Sequence, residues 1–289
     1  MTILSLLIVI GAIQIWGSGA PLHKDEWFLS LLGFLRSKAW LPADWLMFAA
    51  LIVPLVVLGL ALAIVTQVMP ALGLLLINVL VLLYSVGRGD FSLAMTQYIN
   101  AAENQDSSKA SYVIQELAQE DGGEGDSTWA ELHLNALRVL LYRGFERLFA
   151  VFFWFLILGA PGALLYRLSV LYRENLDPEE PGASFASRWL WLIEWPAVRL
   201  LGMSWALAGN FVGCFERWKE CVFCPRRTSA EVLEHYAQGA LNLSAAELTL
   251  GGIELQASCS ADQIRAVQAL LSRSLWLWLC LIAVVSLLY

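Results

Sequence analysis

Residues 45–65 read WLMFAALIVPLVVLGLALAIV, a run without a single charge. As a helix it reaches ~31 Å, about the thickness of a bilayer's hydrocarbon core. No other feature restricts the fold as much. In lipid every backbone N–H and C=O must be paired, so such a segment enters the bilayer as a helix. Pro54 is tolerable inside it, because a neighbouring helix can satisfy the freed carbonyl. A short uncharged link, Thr66-Gln67-Val68, leads into a second apolar run at 69–86. So tight a link requires an antiparallel hairpin.

Two more runs follow. Residues 148–166, LFAVFFWFLILGAPGALLY, contain Gly159, Pro161 and Gly162, which predict a kink or a close helix approach near the end of a span. Residues 275–289, LWLWLCLIAVVSLLY, reach only ~22 Å as helix. They span if the helix starts near Leu270 and Arg273 snorkels, with Trp276 and Trp278 at headgroup level. Residues 3–16 are apolar but short and contain Gln14, which suits either a fifth span or a segment lying on the surface. The N-terminus has neither the positive region nor the cleavage site of a signal peptide, so its retention is expected. The predicted fold class is an all-α integral membrane protein with four or five transmembrane helices, a helical cytoplasmic loop and a re-entrant or amphipathic helix near 191–211.

Composition agrees. The 289 residues are 58% hydrophobic and 15% charged, against about 25% charged in a soluble domain. The net charge is −7 with no Lys/Arg cluster, which argues against nucleic acid as a partner, since phosphate must be neutralised. The five cysteines are odd in number and unevenly spaced, unlike a disulfide framework.

The spans divide the chain into 1–44, 45–86, 87–147, 148–168, 169–274 and 275–289. The 87–147 region carries five Lys/Arg against ten Asp/Glu. One helix is predicted over 92–119, ending at the acidic, glycine-rich 119–126. A second, with Asp126 or Ser127 as N-cap, has Leu134, Leu137, Leu141, Phe145 and Leu148 on one face and continues into the third apolar run. In the 169–274 region, Thr228 and Glu231 have capping-box spacing and open a helix over 228–243. Lys24, Arg36, Lys38, Arg88, Arg138, Arg143 and Arg147 outnumber Arg167, Arg173, Arg265 and Arg273. That bias places 87–147 in the cytoplasm and the second polar region on the opposite side.

The segment WLIEWPAVRLLGMSWALAGNF, 191–211, sets Glu194 and Arg199 among apolar residues. They are about 140° apart on a helix and do not stack. Pro196 fits a first turn, so a helix starting at Trp195 or Pro196 is predicted. It would reach ~24 Å, short of a full span. A re-entrant or interfacial segment is the favoured reading, an ordinary span the alternative. Ionisable groups at membrane depth face protein or water, and Glu194 and Arg199 serve either a functional or a structural role there.

Other constellations are weaker. Cys221 and Cys224 form a C-x-x-C that, with His235 and Cys259, contains four zinc-ligand types at no standard spacing. A disulfide and ordinary free thiols are the other readings. Gly87-Arg88-Gly89-Asp90 is either a ligand-binding loop or a turn, and no P-loop pattern exists anywhere. Glu131 and Asn135, four apart, stand with His133, Arg138, Arg143, Glu146 and Arg147 in a polar cluster that either holds an anion or solvates a helix end. No G-x-S-x-G, H-E-x-x-H or nucleophile–base pair is present, so no catalytic residue is assigned.

Residues 146–167, ERLFAVFFWFLILGAPGALLYR, and 193–211, IEWPAVRLLGMSWALAGNF, resemble the AmpE family of inner-membrane proteins. Asn135-Ala136-Leu137 and Ala101-Ala102 with Asn104 and Asp106 fit as well. The resemblance covers most of the chain and is most specific at Arg147, Pro161, Tyr166, Arg167, Pro196 and Arg199. It implies a regulatory or signalling protein of the bacterial inner membrane, linked to β-lactamase induction and to the cytosolic amidase that recycles anhydro-muropeptides. That family is similar in turn to the CobD/CbiB proteins, which form an amide in cobalamin biosynthesis using ATP. The shared features are the PGALLYR and PAVRL runs. After Arg167, however, LSVLYRENLDPEEP stands where those proteins have an Asn-Thr-Leu-Asp segment. This second likeness implies an ATP-dependent membrane enzyme as the alternative function, and transport of a small anion is the weakest. The candidate ligand-binding residues are Arg88, Asp90, Asn135, Arg147, Arg167, Glu194 and Arg199.

Overall fold

The computed structural model describes residues 2–16, 25–37, 42–86, 91–118, 128–177, 179–180, 182–224, 226–243 and 253–288. Every regular element among them is helical. The chain divides into two compact units, residues 1–89 with 147–195, and residues 90–146 with 196–289.

In the first unit, α1 is Thr2–Trp16, α2 Glu26–Arg36, α3 Ala43–Val68 and α4 Pro70–Ser85. The hairpin forms as expected, but α3 runs through the anticipated link and only Met69 separates the two helices. Pro70 fills the first turn of α4, where its missing N–H costs nothing. α3 is long and apolar enough to cross a membrane, yet only 17% of it is buried. Val57, Leu60, Ile64, Leu72 and Leu76 lie open on the hairpin. A core helix of a water-soluble protein buries such side chains; a hairpin that meets lipid leaves them open, as here.

The third apolar run is not one rod. Helix continues from α7, Trp129–Gly144, through a π-helical turn at Phe145–Ala150 into α8, Val151–Leu158, as expected. It stops at Gly159, whose φ of 71° and ψ of −154° are open only to glycine. The chain then reverses into α9, Ala160–Glu174, which packs along α8. Gly162 lies so close to the Trp154 carbonyl that a Cβ would collide with it. Of the two expectations, a kink or a close helix approach, the close approach is the one that forms, as a helical hairpin. α9 also packs on α3 and α4, and Phe28, Met47, Leu51, Leu164, Leu168 and Leu171 are among the residues filling the core.

Helix α10, Ala183–Ala208, corrects a second expectation. Pro196 lies in its interior instead of starting it. The ring removes the bond to the Leu192 carbonyl.

In the second unit, the helix anticipated over 92–119 is two: α5, Phe91–Glu103, and α6, Ser107–Ala118. Gln105 takes a left-handed conformation (φ 56°), and the Asp106 carboxylate accepts from Lys109 N at 3.0 Å, starting α6 afresh. α7 is capped by Thr128, in a full capping box with Glu131, instead of by Asp126 or Ser127; those two residues lie outside the described ones. α11 is Phe211–Cys221, and α12, Ser229–Leu241, has the expected Thr228/Glu231 box. The last helix, α13, is Ile253–Leu288 and begins far ahead of Leu270. At ~54 Å it is nearly twice a hydrocarbon thickness. Asp262 and Arg265 are exposed on its first half, and Trp276, Leu281 and Val284 on its second.

Side-chain bonds also join the helices of this unit. Trp129 Nε1 donates to Ser260 Oγ at 3.0 Å and His133 pairs with Gln263 at 2.9 Å, so α7 and α13 run parallel in register. Arg138 on α7 binds Glu234 on α12 at 2.9 Å. The polar stretches of 90–146 and 196–274 thus pack together within this unit.

Candidate functional site: buried charges in an apolar unit

Asp25 directly precedes α2 and is buried. Its carboxylate accepts from Arg167 Nη2 at 3.3 Å and from the Tyr84 hydroxyl at 2.9 Å. Arg167, on α9, is only 5% exposed, and its Nε is buried without a hydrogen-bond partner. One position earlier, the Tyr166 hydroxyl donates to Glu194 Oε1 at 3.1 Å. Glu194, on α10, is 2% exposed. Successive residues on a helix project about 100° apart, which lets Tyr166 and Arg167 serve different acidic partners. Arg147, in the π-helical turn, is buried in the same unit. Trp154 Nε1 bonds the Ile193 carbonyl at 3.1 Å and ties α8 to α10 beside Glu194.

Three of the seven expected ligand residues, Arg147, Arg167 and Glu194, are therefore buried in one unit. Asp25, Tyr84 and the hydroxyl role of Tyr166 were missed by sequence reasoning. Removing either the carboxylate or the guanidinium would strand the other charge in this apolar setting.

The remaining expected residues go elsewhere. Arg88 and Asp90 lie outside the described residues. Asn135 is exposed on α7. Arg199 belongs to the second unit: its Nε donates to the Val222 carbonyl at 3.2 Å and Nη2 to the Cys221 carbonyl at 3.4 Å. It caps the C-terminus of α11. Trp218 Nε1 in turn donates to the Arg199 carbonyl at 3.0 Å.

His133 is fully buried. The Gln263 carbonyl oxygen accepts from its Nε2 at 2.9 Å, which leaves Nδ1 to accept from the Tyr98 hydroxyl at 3.1 Å. Burial lowers the His133 pKa, outweighing the Gln263 bond, and burial also pushes the Tyr98 phenol far up. The imidazole is thus neutral and fully paired. The polar cluster around it disperses: Arg143 pairs with Glu146 at 2.9 Å, while Arg138 turns to Glu234.

His235 Nε2 faces Glu220 at 3.2 Å, and burial lowers its pKa despite that carboxylate. It lines a shallow cleft of about 340 Å³ with Arg138, Arg227, Glu231, Glu234 and Gln238. Cys259 Sγ accepts from Gln263. Among the described residues, no group of three or more His, Cys, Asp or Glu side chains is set to hold a metal ion.

No curated protein and no solved structure matches the chain. A family profile does, described as regulatory signalling modulator protein AmpE, over residues 1–287. Among the described residues, two helices, Trp45–Val68 and Glu254–Val284, are long and apolar enough to cross a membrane. With its apolar hairpin open to lipid and its whole length matched, the chain belongs to the AmpE family of regulatory signalling modulators and is a membrane protein.

Proposed function

We propose that this chain is a multi-pass protein of the bacterial inner membrane, with four or five spans, that modulates β-lactamase induction. It does so in concert with the cytosolic amidase of anhydro-muropeptide recycling. The family match over 1–287 is the observation that carries this reading. The polar body of the second unit faces the cytoplasm, a reading supported by Arg138, Arg143, Arg217, Lys219, Arg226 and Arg227. That side would bring it to a cytosolic amidase. The buried Asp25–Arg167 and Tyr166–Glu194 pairs, with Arg147, are the elements whose pairing differs between signalling states. Two discrete pairings separated by a desolvation barrier suit a switch better than a graded surface does.

The test is genetic and biochemical. In the host, deletion of the gene alters the β-lactamase activity induced by a β-lactam, and a plasmid copy restores it. Unchanged induction in the deletion strain removes the proposal.

A further inference from the structure

We infer that Cys221 and Cys224 form a redox-active dithiol that exchanges with low-molecular-weight disulfides and closes to an intramolecular disulfide. The inference stands on its own geometry, apart from any role in β-lactamase induction.

Cys221 is the last residue of α11 and is 1% exposed; Cys224 is partly exposed. The chain turns between them, with Cys224 N bonded to the Cys221 carbonyl. Residues at the ends of such a turn have Cα atoms within about 7 Å, overlapping the ~4.4–6.8 Å that a disulfide spans. Cys224 Sγ is directed back toward the helix end, donating to the Glu220 carbonyl at 3.2 Å. The Cys221 sulfur accepts from Arg227 Nη1 at 3.0 Å. Arg199 grips the carbonyls of Cys221 and Val222, so the turn is pinned from beneath. Phe223 protrudes at its tip and is 81% exposed. All these residues belong to one compact unit.

The two thiols have different tasks. Cys224 reaches solvent and attacks first. Its thiolate bonds to one sulfur of the disulfide reagent, the S–S bond breaks, and one thiolate leaves and takes a proton from water. Cys221 then gives up its proton to solvent and attacks the Cys224 sulfur. The second reagent thiol departs, and the protein disulfide forms. In total two protein thiols lose two electrons and two protons, and one small disulfide becomes two thiols. Burial raises the Cys221 pKa, while the Arg227 guanidinium opposes the rise and favours the thiolate needed in the second step; the neighbouring Cys224 adds to the rise. Cys214, seven residues earlier on α11, is fully buried and its pKa is pushed up to about 11, so it stays out of the exchange.

The test uses the full chain in detergent, equilibrated in buffers of graded reduced-to-oxidised glutathione ratio. Free thiols are then trapped by alkylation, and trypsin releases residues 220–226, ECVFCPR, which carries both cysteines. The expected result is a peptide two hydrogens lighter, with no alkyl group. It replaces the doubly alkylated form at least tenfold as the buffer becomes oxidising, and the change reverses with reductant. Cys221→Ser instead accumulates glutathione on Cys224, and Cys224→Ser leaves Cys221 alkylated as in the reduced protein. Should both cysteines of the unmodified chain stay alkylated at every ratio, or Cys224 stop at the glutathione adduct, the inference is overturned.

Discussion

Arg167 and Asp25, 142 residues apart in sequence, meet as a buried ion pair at 3.3 Å. Each side chain is at most 5% exposed. Removing one partner strands a charge, whereas replacing both with apolar residues removes the desolvation cost as well. Arg167→Met should therefore destabilise the protein by about 3–5 kcal/mol. Adding Asp25→Leu should recover most of that loss. Denaturant unfolding in mild detergent measures both; a double variant whose loss equals the sum of the singles contradicts the pairing.

His133 predicts a pH dependence. Its folded pKa lies below the ordinary 6.5, because burial opposes its charging. As pH falls the unfolded chain takes up the proton first. The stability from neutral, paired His133 is thus complete above about pH 6.5 and is lost as pH drops from there toward the folded pKa. The unfolding midpoint should fall between pH 7.5 and 5.5, and His133→Leu should flatten that fall. Some slope should persist, since His235 is shifted in the same direction. An equal slope in the variant would exclude His133 as the source.

Gly159 should resist substitution more than its exposed surroundings suggest. Its backbone conformation costs any other residue about 1–3 kcal/mol. Gly159→Ala should lower the thermal midpoint by a matching amount. Gly162→Val should do worse, because its side chain meets the Trp154 carbonyl. A Gly159→Ala protein as stable as the parent would mean that the α8–α9 turn is not built as described.

These three sites differ in how far the sequence announces them. The α3–α4 hairpin is legible because lipid demands a compositional run and a short link. The Thr228 cap is legible too; Thr128 has the same spacing to Glu131, but the nearby Asp126 and Ser127 compete for the role. The glycines at 159 and 162 signal a kink or a close approach without giving the angle between the two helices. The first half of α13 was missed because its buried stripe, Ala257, Ala261, Ile264 and Val267, is small and interleaved with polar residues. Within the candidate site, Arg167 and Glu194 stand out as charges among apolar neighbours. Asp25 and Tyr84 do not, because partners brought together by tertiary packing leave no local pattern.

We propose, as the account's central claim, that the polar stretches 90–146 and 196–274, packed in one unit, face one side of the bilayer. It is tested by labelling with a membrane-impermeant maleimide in vesicles of known orientation. Single cysteines replace Tyr112 on α6 and Phe223 after α11, both exposed, in a background with Cys224, Cys259 and Cys280 changed to Ser. The account predicts that both positions react from the same face and are protected from the other. Reaction of Tyr112→Cys and Phe223→Cys from opposite faces would contradict it.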